Sequence, residues 1–473
     1  MSSQLRTALM KLNLKSGRLT TYNSPKSHVY DWLTDRQHQT RIAEFFKDTT
    51  NKILHKPADG KKWQTLWQYE TFSDDVVYPL GFDADPNILY INAYHDGLLA
   101  VFKIDLSDPE LKKELVYSDP NYDASGRLVF SKKKNRVVGI THGGSKHVTF
   151  WDSEYQGMQK SIDRVLPDTD NFLLSLSDDE MKIIVHSTSD TDAGTYWLWN
   201  REKATLDPLA YRYSRLLPTN MVEKKLFTYT ARDGLEIEAY LSQPNKNGAQ
   251  PTIIFPHGGP ISHTGRGFDY WTQFFANRGY NVLQMNFRGS SGYGYDFMKS
   301  GLKNWGRDMQ TDVEDGARWL IRQGVADPNR ICVVGASYGG YAALMEAANN
   351  PDLYQCVVSF AGVTDLPYLV SSSRKFVNYD VVKEQIGSDR KSLLQRSPIA
   401  RADEIDIPVL LVQGTKDRRV LLNHGKKMYK KLKAAGKNVT YIEQEGGNHY
   451  LSDEIHRMEF FTEMDKFLAK YLQ

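Results

Sequence analysis

The chain has 473 residues, too many for one compact core, and this length predicts two or three domains. Hydrophobic residues make up 40% and aromatic residues 12% of the chain, a composition typical of globular proteins that excludes general disorder. Sixty basic residues against 57 acidic ones leave a formal net charge of +3, which excludes a global field that would attract nucleic acid or an anionic membrane surface.

Residues 1–220 are predicted to be all-β and propeller-like. Short aromatic and β-branched segments alternate with Asp, Gly, Asn and Pro, without a convincing helical period. Four segments that begin with apolar strands recur at a spacing of about 45 residues, as in four-stranded propeller blades. Before them, a hairpin that turns at Ser16-Gly17 indicates that the chain starts partway through an earlier blade. We therefore predict an incomplete propeller of about four units, with a pair of β-sandwiches as the alternative.

Residues 221–473 are predicted to form an α/β-hydrolase domain with a doubly wound, mostly parallel sheet. A hairpin that turns at Asp233-Gly234 leads into strands that alternate with helical patterns. The strand candidates are residues 252–255, 281–286, 331–334, 356–360, 408–413 and 439–443.

A G-x-S-x-G pentapeptide at residues 335–339 makes Ser337 the predicted nucleophile. With 34 glycines in the chain, a chance match is expected roughly one time in six, so the pentapeptide alone is weak evidence. Its position is more specific, because it follows a strand candidate directly and precedes a good helix sequence, as a nucleophile elbow requires. The alternative is that Ser337 merely caps that helix.

A serine hydroxyl needs a base within hydrogen-bond reach, and His449 is the predicted base. It lies in a glycine-rich loop after the last strand candidate, where the chain order of α/β-hydrolases places the histidine. His424 and His456 also follow Ser337 but lie in helical patterns, where a solvated or packed histidine is the usual explanation.

The base must be held in one tautomer by a carboxylate, and Asp417 is the predicted acid. It follows the strand candidate 408–413, and the sites of open α/β sheets lie at the carboxyl ends of strands. Asp365, one strand earlier, is the alternative, because some α/β-hydrolases place the acid there.

Donors for the oxyanion are expected from the backbone N–H of Tyr338 and from Gly258 or Gly259. The latter two lie in FPHGGP, which is similar to the HGGG-type loop of hydrolases, although a simple tight turn is the alternative. The chain contains no HExxH, clustered CxxC, P-loop or GxGxxG after a strand, so we expect no metal or nucleotide cofactor. The lysine-rich stretch 426–437 is interpreted as a solvated helix face and not as a nucleic-acid site.

The location is predicted to be cytoplasmic, with no membrane partner. The first residues lack the apolar segment of a signal peptide, and no stretch approaches the roughly 18 apolar residues of a membrane span. Cys332 and Cys356, the only cysteines, lie in apolar strand candidates and are predicted to be buried free thiols.

Six motifs in this order resemble the prolyl oligopeptidase family of serine peptidases, most closely its acylaminoacyl-peptidase-like branch. They lie within residues 255–450 and are FPHGGP, NFRGSSGYG, GASYGGY, AGVTDL, QGTKDRRV and GGNHY. The resemblance implies a peptidase that acts on short peptides or blocked amino termini, with a propeller that limits access and without a cofactor. A carboxylesterase or thioesterase with the same triad, or a binding module with a vestigial triad, are the alternatives.

Relatives in this family generally carry seven or eight propeller blades, whereas about four units are expected here. The chain is therefore expected to be truncated, which leaves its substrate specificity open. Strand edges left unpaired by an incomplete propeller attract further strands, so we predict that the protein associates with itself.

Overall fold

The first 17 strands form small antiparallel sheets in the β-rich part of the chain, residues 6–211. The computed structural model describes residues 6–57, 60, 62–142, 147–245 and 247–473. The strands are β1 (Arg6–Leu12), β2 (Leu19–Ser27), β3 (Val29–Thr34), β4 (Thr40–Lys47), β5 (Thr50–His55), β6 (Gln64–Glu70), β7 (Tyr78–Phe82), β8 (Ile88–His95), β9 (Leu98–Asp105), β10 (Glu114–Tyr117), β11 (Gly126–Ser131), β12 (Arg136–His142), β13 (Val148–Phe150), β14 (Asp170–Leu176), β15 (Lys182–Thr188), β16 (Thr195–Asn200) and β17 (Thr205–Tyr211).

These strands pair with their neighbours in the chain, as blade-like units do. Strands β3 to β6, β7 to β10 and β14 to β17 each form a four-stranded sheet, and β11 to β13 form a three-stranded sheet. Strands β1 and β2 form the separate hairpin predicted around Ser16-Gly17. The predicted propeller-like fold of this region is confirmed.

One helix interrupts the β-rich part where no helical period was expected. Helix α1 (Ser153–Val165) follows β13, and the Asp152 side chain caps it by accepting from the Glu154 and Tyr155 N–H groups. Tyr155, Met158 and Ile162 recur at helical spacing and are buried against neighbouring sheets. The sequence predicts only strands in this region, but the capping aspartate and this apolar stripe favour a helix.

The hydrolase domain, residues 224–473, contains one eight-stranded sheet with strand order β18-β19-β21-β20-β22-β23-β24-β25. Its first two strands and the β19–β21 pair are antiparallel, and the remaining pairs are parallel. The strands are β18 (Lys224–Thr230), β19 (Glu236–Ser242), β20 (Gln250–Ile254), β21 (Asn281–Met285), β22 (Ala326–Ala336), β23 (Cys356–Phe360), β24 (Val409–Gly414) and β25 (Val439–Gln444). Every strand candidate of this region lies on one of them, and the predicted α/β-hydrolase fold is confirmed.

Helices cover both faces of this sheet. They are α2 (Tyr270–Asn277), α3 (Tyr295–Ser300), α4 (Asp308–Arg322), α5 (Tyr338–Asn349), α6 (Leu366–Ser373), α7 (Tyr379–Ile386), α8 (Arg390–Gln395), α9 (Asn423–Ala434) and α10 (Glu454–Leu472). Alternate residues of the central strands belong to two separate buried clusters, one with α4, α5 and α9 and the other with α2 and α10. Burial on both faces explains why these strands are continuous apolar runs in the sequence.

The two cysteines are not free thiols, so that prediction is wrong. Cys332 on β22 and Cys356 on β23 are direct partners in the parallel register, and the structure pairs them as a disulfide. A spacing of 24 residues does not indicate this pairing, because it depends on the register of two strands. Disulfides are rare in the cytosol, so the pairing gives no support to a cytoplasmic location, which stays a prediction.

No helix among the described residues is long and apolar enough to cross a membrane.

The β-rich part contacts the hydrolase domain through the junction loop, residues 286–295, which follows β21. The Gly292 N–H donates to the Asp123 carboxylate (3.1 Å), and the Asp123 N–H donates to the Gly292 carbonyl (2.9 Å). The Tyr122 hydroxyl donates to Glu238 on β19 (2.6 Å). The Tyr295 hydroxyl donates to a backbone carbonyl that follows β6 (3.1 Å). These bonds fix the β-rich part beside the end of β21.

Candidate active site

Ser337 occupies the sharp turn between β22 and α5. Its φ of 58° and ψ of −119° are a conformation that a residue with a side chain rarely adopts. The turn raises the serine out of the strand direction at the carboxyl edge of the sheet, as a nucleophile elbow does.

The glycines around Ser337 are required by close backbone contacts. A Cβ atom on Gly335 would lie 2.1 Å from the carbonyl oxygen of Gly339, and one on Gly339 would lie 2.2 Å from that of Pro256. Both distances are far inside van der Waals contact, so the strand, the helix and the neighbouring loop approach this closely only without side chains.

Asp417 and His449 are in direct contact, as predicted from the sequence. His449 Nδ1 lies 2.7 Å from Asp417 Oδ2. The carboxylate is buried, and it also accepts hydrogen bonds from the Arg419 N–H (2.8 Å), the Val420 N–H (2.9 Å) and the Gln413 side-chain amide (3.1 Å). Four donors on one carboxylate fix its orientation towards the imidazole.

The loops that carry these two residues are joined by their backbones. We name residues 415–420 the acid loop and residues 445–450 the base loop. The Lys416 N–H donates to the Gly447 carbonyl (2.8 Å), and the Thr415 N–H donates to the Gln444 carbonyl (3.0 Å). The Gly446 N–H in turn donates to the Thr415 hydroxyl (2.8 Å). The acid and the base are therefore held as one unit.

Ser337 and the acid–base pair lie at the same edge of the sheet. The parallel strand β22 ends immediately before Ser337, β24 before the acid loop and β25 before the base loop. Strand β23 lies between β22 and β24. The Ser337 N–H donates to the Phe360 carbonyl (2.9 Å), and the Ala361 N–H donates to the Val412 carbonyl (2.8 Å). Within the described part of the chain, the Ser337 hydroxyl makes no hydrogen bond to His449. In enzymes without substrate, such bonds are often long and tighten when substrate binds.

Asp365, the alternative acid, caps a helix and, within the part of the chain that the structure describes, does not contact the imidazole of His449. Its carboxylate caps α6 by accepting from the Tyr368 N–H (2.9 Å), and its other oxygen lies 3.8 Å from the Lys427 ammonium. Among the described residues, Asp365 makes no hydrogen bond or ion pair with His449, so the structure brings Asp417 and not Asp365 to the imidazole.

The two alternative histidines are also engaged elsewhere. Burial lowers the pKa of His424 to about 3, with a smaller contribution from the nearby Lys427 ammonium, so its imidazole is neutral. Its Nδ1 accepts from the Thr364 N–H (3.2 Å). His456 contacts the carbonyl of Glu445 (3.0 Å) on the outside of α10.

The predicted oxyanion donors lie next to Ser337. A Cβ atom on Gly258 would lie 3.7 Å from the Ser337 Cβ, so the glycine loop, residues 256–260, borders the serine directly. Tyr338 is the first residue of α5, and the N–H groups of a first helical turn have no acceptor within the helix. Gly259 has a φ of 128°, a conformation that favours glycine.

His257 supports the glycine loop, a feature that the sequence analysis missed. Its Nδ1 donates to the Gly258 carbonyl (2.8 Å), and its Nε2 lies 2.9 Å from the Ser290 hydroxyl. Burial lowers the pKa of this histidine to about 4, so the ring is neutral. Its two hydrogen bonds hold the glycine loop in place. In the sequence, the histidine directly before the paired glycines indicates this supporting role.

A cavity of about 1010 Å³ borders His449, and Ser337 is not among the described residues that line it. One wall consists of residues from the acid and base loops. A second wall comes from the segment of α6 and α7 and includes Leu369, Phe376 and Val382. This wall is not predictable from the sequence, because it forms only when the helices pack over the sheet edge.

The elbow, the buried acid–base pair and the glycine loop together define a serine hydrolase of the α/β-hydrolase class. Comparison with known proteins relates this domain to one family. Residues 266–473, which make up most of the hydrolase domain, match the model of the prolyl oligopeptidase family.

Known relatives match most of the chain. It is 27% identical over 489 residues to a dipeptidyl aminopeptidase BIII from Pseudoxanthomonas mexicana, a match that covers 98% of this chain and 69% of the relative. It is 30% identical over 358 residues to an acylamino-acid-releasing enzyme from Sus scrofa, covering 72% of this chain and 46% of that enzyme. The chain thus spans about two thirds of the first relative and less than half of the second.

A crystal structure of puromycin hydrolase has the same fold. The TM-score is 0.77 at 18% sequence identity, and the match covers 97% of this chain and 72% of that protein.

Proposed function

We propose that this protein is a serine peptidase that hydrolyses peptide or acyl-aminoacyl bonds of short peptides. The observation that carries the proposal is the 2.7 Å contact between His449 and Asp417 at the sheet edge that presents Ser337. The relatives named as a dipeptidyl aminopeptidase and an acylamino-acid-releasing enzyme support a peptide substrate. In this proposal residues 1–220 form the propeller-like domain and residues 221–473 the catalytic domain.

In the first half-reaction, the Ser337 oxygen attacks the substrate carbonyl while His449 Nε2 takes the hydroxyl proton. Asp417 accepts the Nδ1 hydrogen bond throughout and stabilises the imidazolium. The negative charge on the tetrahedral oxygen is met by the Tyr338 N–H and by an N–H of Gly258 or Gly259. The intermediate collapses when His449 donates its proton to the leaving amine, and the C–N bond breaks.

In the second half-reaction, water attacks the acyl-enzyme. His449 takes a proton from the water, the carbonyl carbon gains the hydroxide oxygen, and the ester bond to Ser337 breaks as the serine regains its proton. No cofactor takes part in this scheme.

The decisive experiment compares Ser337→Ala with Ser161→Ala, a control in which an exposed helical serine far from the site is changed. We expect Ser337→Ala to lower kcat on a blocked aminoacyl amide by roughly 10³ or more with an unchanged circular dichroism spectrum, and Ser161→Ala to match the parent. A fluorophosphonate probe should label the parent and the control but not Ser337→Ala. A folded parent that resists labelling would instead support a binding module with a vestigial triad.

Substrate type separates the peptidase from a carboxylesterase or thioesterase, because the same triad cleaves any activated acyl group. Turnover of acyl esters and of blocked aminoacyl amides with the same acyl group should be measured side by side. Hydrolysis of the esters alone would refute the peptidase proposal and leave the triad assignment intact.

We also propose that a second copy of the chain is a partner, docked through the β1–β2 hairpin. Leu12, Leu14 and Leu19 of this hairpin are 50%, 90% and 59% exposed. Residues 6–27 carry five basic and no acidic side chains, whereas residues 170–211, which form the last small sheet, carry eight acidic and three basic ones. Opposite charge favours contact between the hairpin of one copy and the last sheet of another.

Light scattering over a range of protein concentration tests this pairing. We expect a dimer or larger species that dissociates at high salt and in a Lys11→Glu, Lys15→Glu double variant. A parent protein that stays monomeric at high concentration would refute the pairing.

A further inference from the structure

The cavity beside His449 has a cationic wall. Lys416, Arg418 and Arg419 of the acid loop all line it, and all three are exposed. None of the described residues that line this cavity is an aspartate or a glutamate. The cavity therefore carries three positive charges with no negative charge of its own.

These three cations are without ionic partners in the described part of the chain. The ammonium of Lys416 and the guanidinium of Arg418 make no ion pair there, and the guanidinium of Arg419 donates to the neutral Tyr450 hydroxyl (3.1 Å). Other arginines of the same domain are paired: Arg288, for example, lies 2.7 Å from the buried Asp312 carboxylate. An uncompensated group of cations in a preformed cavity favours an anionic ligand.

No other group in the cavity cancels this charge. The imidazole of His424, which also lines it, is neutral because burial lowers its pKa to about 3. A second wall of the cavity, from the segment of α6 and α7, includes the apolar side chains of Leu369, Phe376 and Val382. A ligand that fits both walls combines an apolar portion with a negative charge.

We propose that this cavity recognises a carboxylate of the substrate, so that the preferred substrates are peptides with an acidic residue close to the cleaved bond. A guanidinium is suited to this task, because its planar donors match the two oxygens of a carboxylate. The base loop contributes His449 to the same cavity, so a carboxylate bound by the cationic wall lies beside the proposed base. This inference rests on the proposed function, since it names the substrate class of that site.

Matched peptide substrates test the inference. A series with a single glutamate at successive positions around the cleaved bond is compared with the same series carrying glutamine, which has nearly the same shape without the charge. We expect kcat/KM to be about tenfold higher for glutamate at the best position, as several partly exposed charge pairs provide. The ratio should fall towards one as ionic strength rises.

A double variant Lys416→Gln, Arg418→Gln should lose the preference, measured as the glutamate-to-glutamine ratio of kcat/KM. The double variant Lys430→Gln, Lys431→Gln is the matched control, because both lysines are exposed on α9 outside the cavity and their replacement also removes two positive charges. The control should keep the ratio of the parent. An unchanged ratio in the double variant, or a parent ratio near one at every position, would overturn the proposal.

Binding to Ser337→Ala, measured by calorimetry, separates this inference from the proposed function. If the parent hydrolyses neutral peptides but the inactive variant binds both series equally, the carboxylate site is refuted and the peptidase stands. If the parent hydrolyses neither series but the variant binds the glutamate peptides more tightly, the carboxylate site is supported and the peptidase is refuted.

Discussion

At the residue scale, the environment of a carboxylate distinguishes an acid that orients a base from one that caps a helix. Asp417 is buried and accepts from two backbone N–H groups, an amide side chain and an imidazole. Asp365 accepts one backbone N–H at the start of α6. Both residues follow parallel strands in the sequence, and only the packing of the loops separates them.

Replacing Asp417 by Asn should lower kcat by about 10⁴ with little change in fold. The asparagine can still accept the Arg419 and Val420 N–H groups, but its NH₂ faces His449 Nδ1 and favours the tautomer that cannot take the serine proton. Steady-state kinetics on a blocked aminoacyl amide measures the loss.

Asp365→Asn is the matched control for this change. Asparagine caps helices about as well as aspartate, so we expect near-normal kcat and at most a small decrease in thermal midpoint. A large loss of kcat in Asp365→Asn together with normal activity in Asp417→Asn would reverse the assignment of the acid.

Glu346 on α5 is a buried titratable residue outside the proposed chemistry. It accepts from the Tyr354 hydroxyl (2.7 Å) and the Gln310 amide (2.8 Å), and burial raises its pKa to about 8. In the unfolded chain its pKa is near the ordinary value of 4.5. Between these two values the folded protein keeps a proton that the unfolded chain releases, so this group lowers stability as pH rises through that window.

Glu346→Gln should therefore weaken the pH dependence of stability. Glutamine can accept from Gln310 and donate to Tyr354 but cannot ionise. We expect the variant to gain stability over the parent by up to about 1.4 kcal/mol per pH unit between these pKa values, levelling off above pH 8. Thermal midpoints at pH 5.5 and pH 8.5 measure this gain, and an equal difference at both pH values would contradict it.

At the scale of elements, the turn between β22 and α5 depends on backbone contacts that exclude any side chain. Gly339→Ala would place a methyl group 2.2 Å from the Pro256 carbonyl, so the glycine loop or the helix must shift. We expect a loss of several kcal/mol in stability and a strong decrease in fluorophosphonate labelling, since the shift displaces both Ser337 and its oxyanion donors.

Gly157→Ala serves as the control for this prediction. Gly157 lies in α1 with open space around its Cβ position, so alanine should stabilise the helix by about 0.5–1 kcal/mol and leave labelling unchanged. Normal labelling and stability in Gly339→Ala would show that the turn tolerates a side chain.

The elements best predicted from the sequence are those in which every residue is buried. Strands of the hydrolase sheet are buried on both faces, so 356–360 and 408–413 were recognised as apolar runs. Helix α1 was missed because its stripe of three buried residues is short and its glycine weakens the helical pattern. Strands β13 and β14 on either side of this helix give the surrounding sequence a composition typical of strands.

Features that depend on two distant segments could not be predicted from the sequence. The disulfide requires the register of β22 against β23, and the apolar part of the cavity requires α6 and α7 to pack beside the acid loop. In contrast, the contact between Asp417 and His449 was predictable, because chain order and strand ends place both loops at one edge of the sheet.

At the scale of the whole molecule, the junction loop couples the β-rich part to the end of β21. Asp123 is central, because its carboxylate accepts from the Leu99 N–H (2.8 Å) on one side and from the Gly292 N–H (3.1 Å) on the other. Burial raises the pKa of Asp123, and these N–H groups oppose the shift. One side chain thus links a strand of the β-rich part to the hydrolase domain.

Asp123→Ala should loosen this link. Two N–H groups lose their acceptor, at a cost of about 1–3 kcal/mol each where they remain buried. We expect a lower thermal midpoint and faster cleavage by a nonspecific protease between residues 212 and 223, where the chain passes from β17 to β18. Asp178→Ala, which removes an exposed carboxylate whose ion pair among the described residues is with Lys132, should behave as the parent does. Equal cleavage rates for the two variants would show that Asp123 does not couple the two parts.

The backbone hydrogen bonds between the acid and base loops leave one distance in the candidate site free to vary, the distance between the His449 imidazole and the Ser337 hydroxyl. Thr415, Lys416 and Gly447 hold the imidazole and its carboxylate in a fixed arrangement, whereas Ser337 is anchored through β22 and α5. Distortions elsewhere in the molecule should therefore leave the imidazole–carboxylate distance unchanged and alter only the gap between the imidazole and the alcohol. Changes remote from the sheet edge would consequently affect the rate of acylation while the hydrogen bond between His449 and Asp417 stays intact.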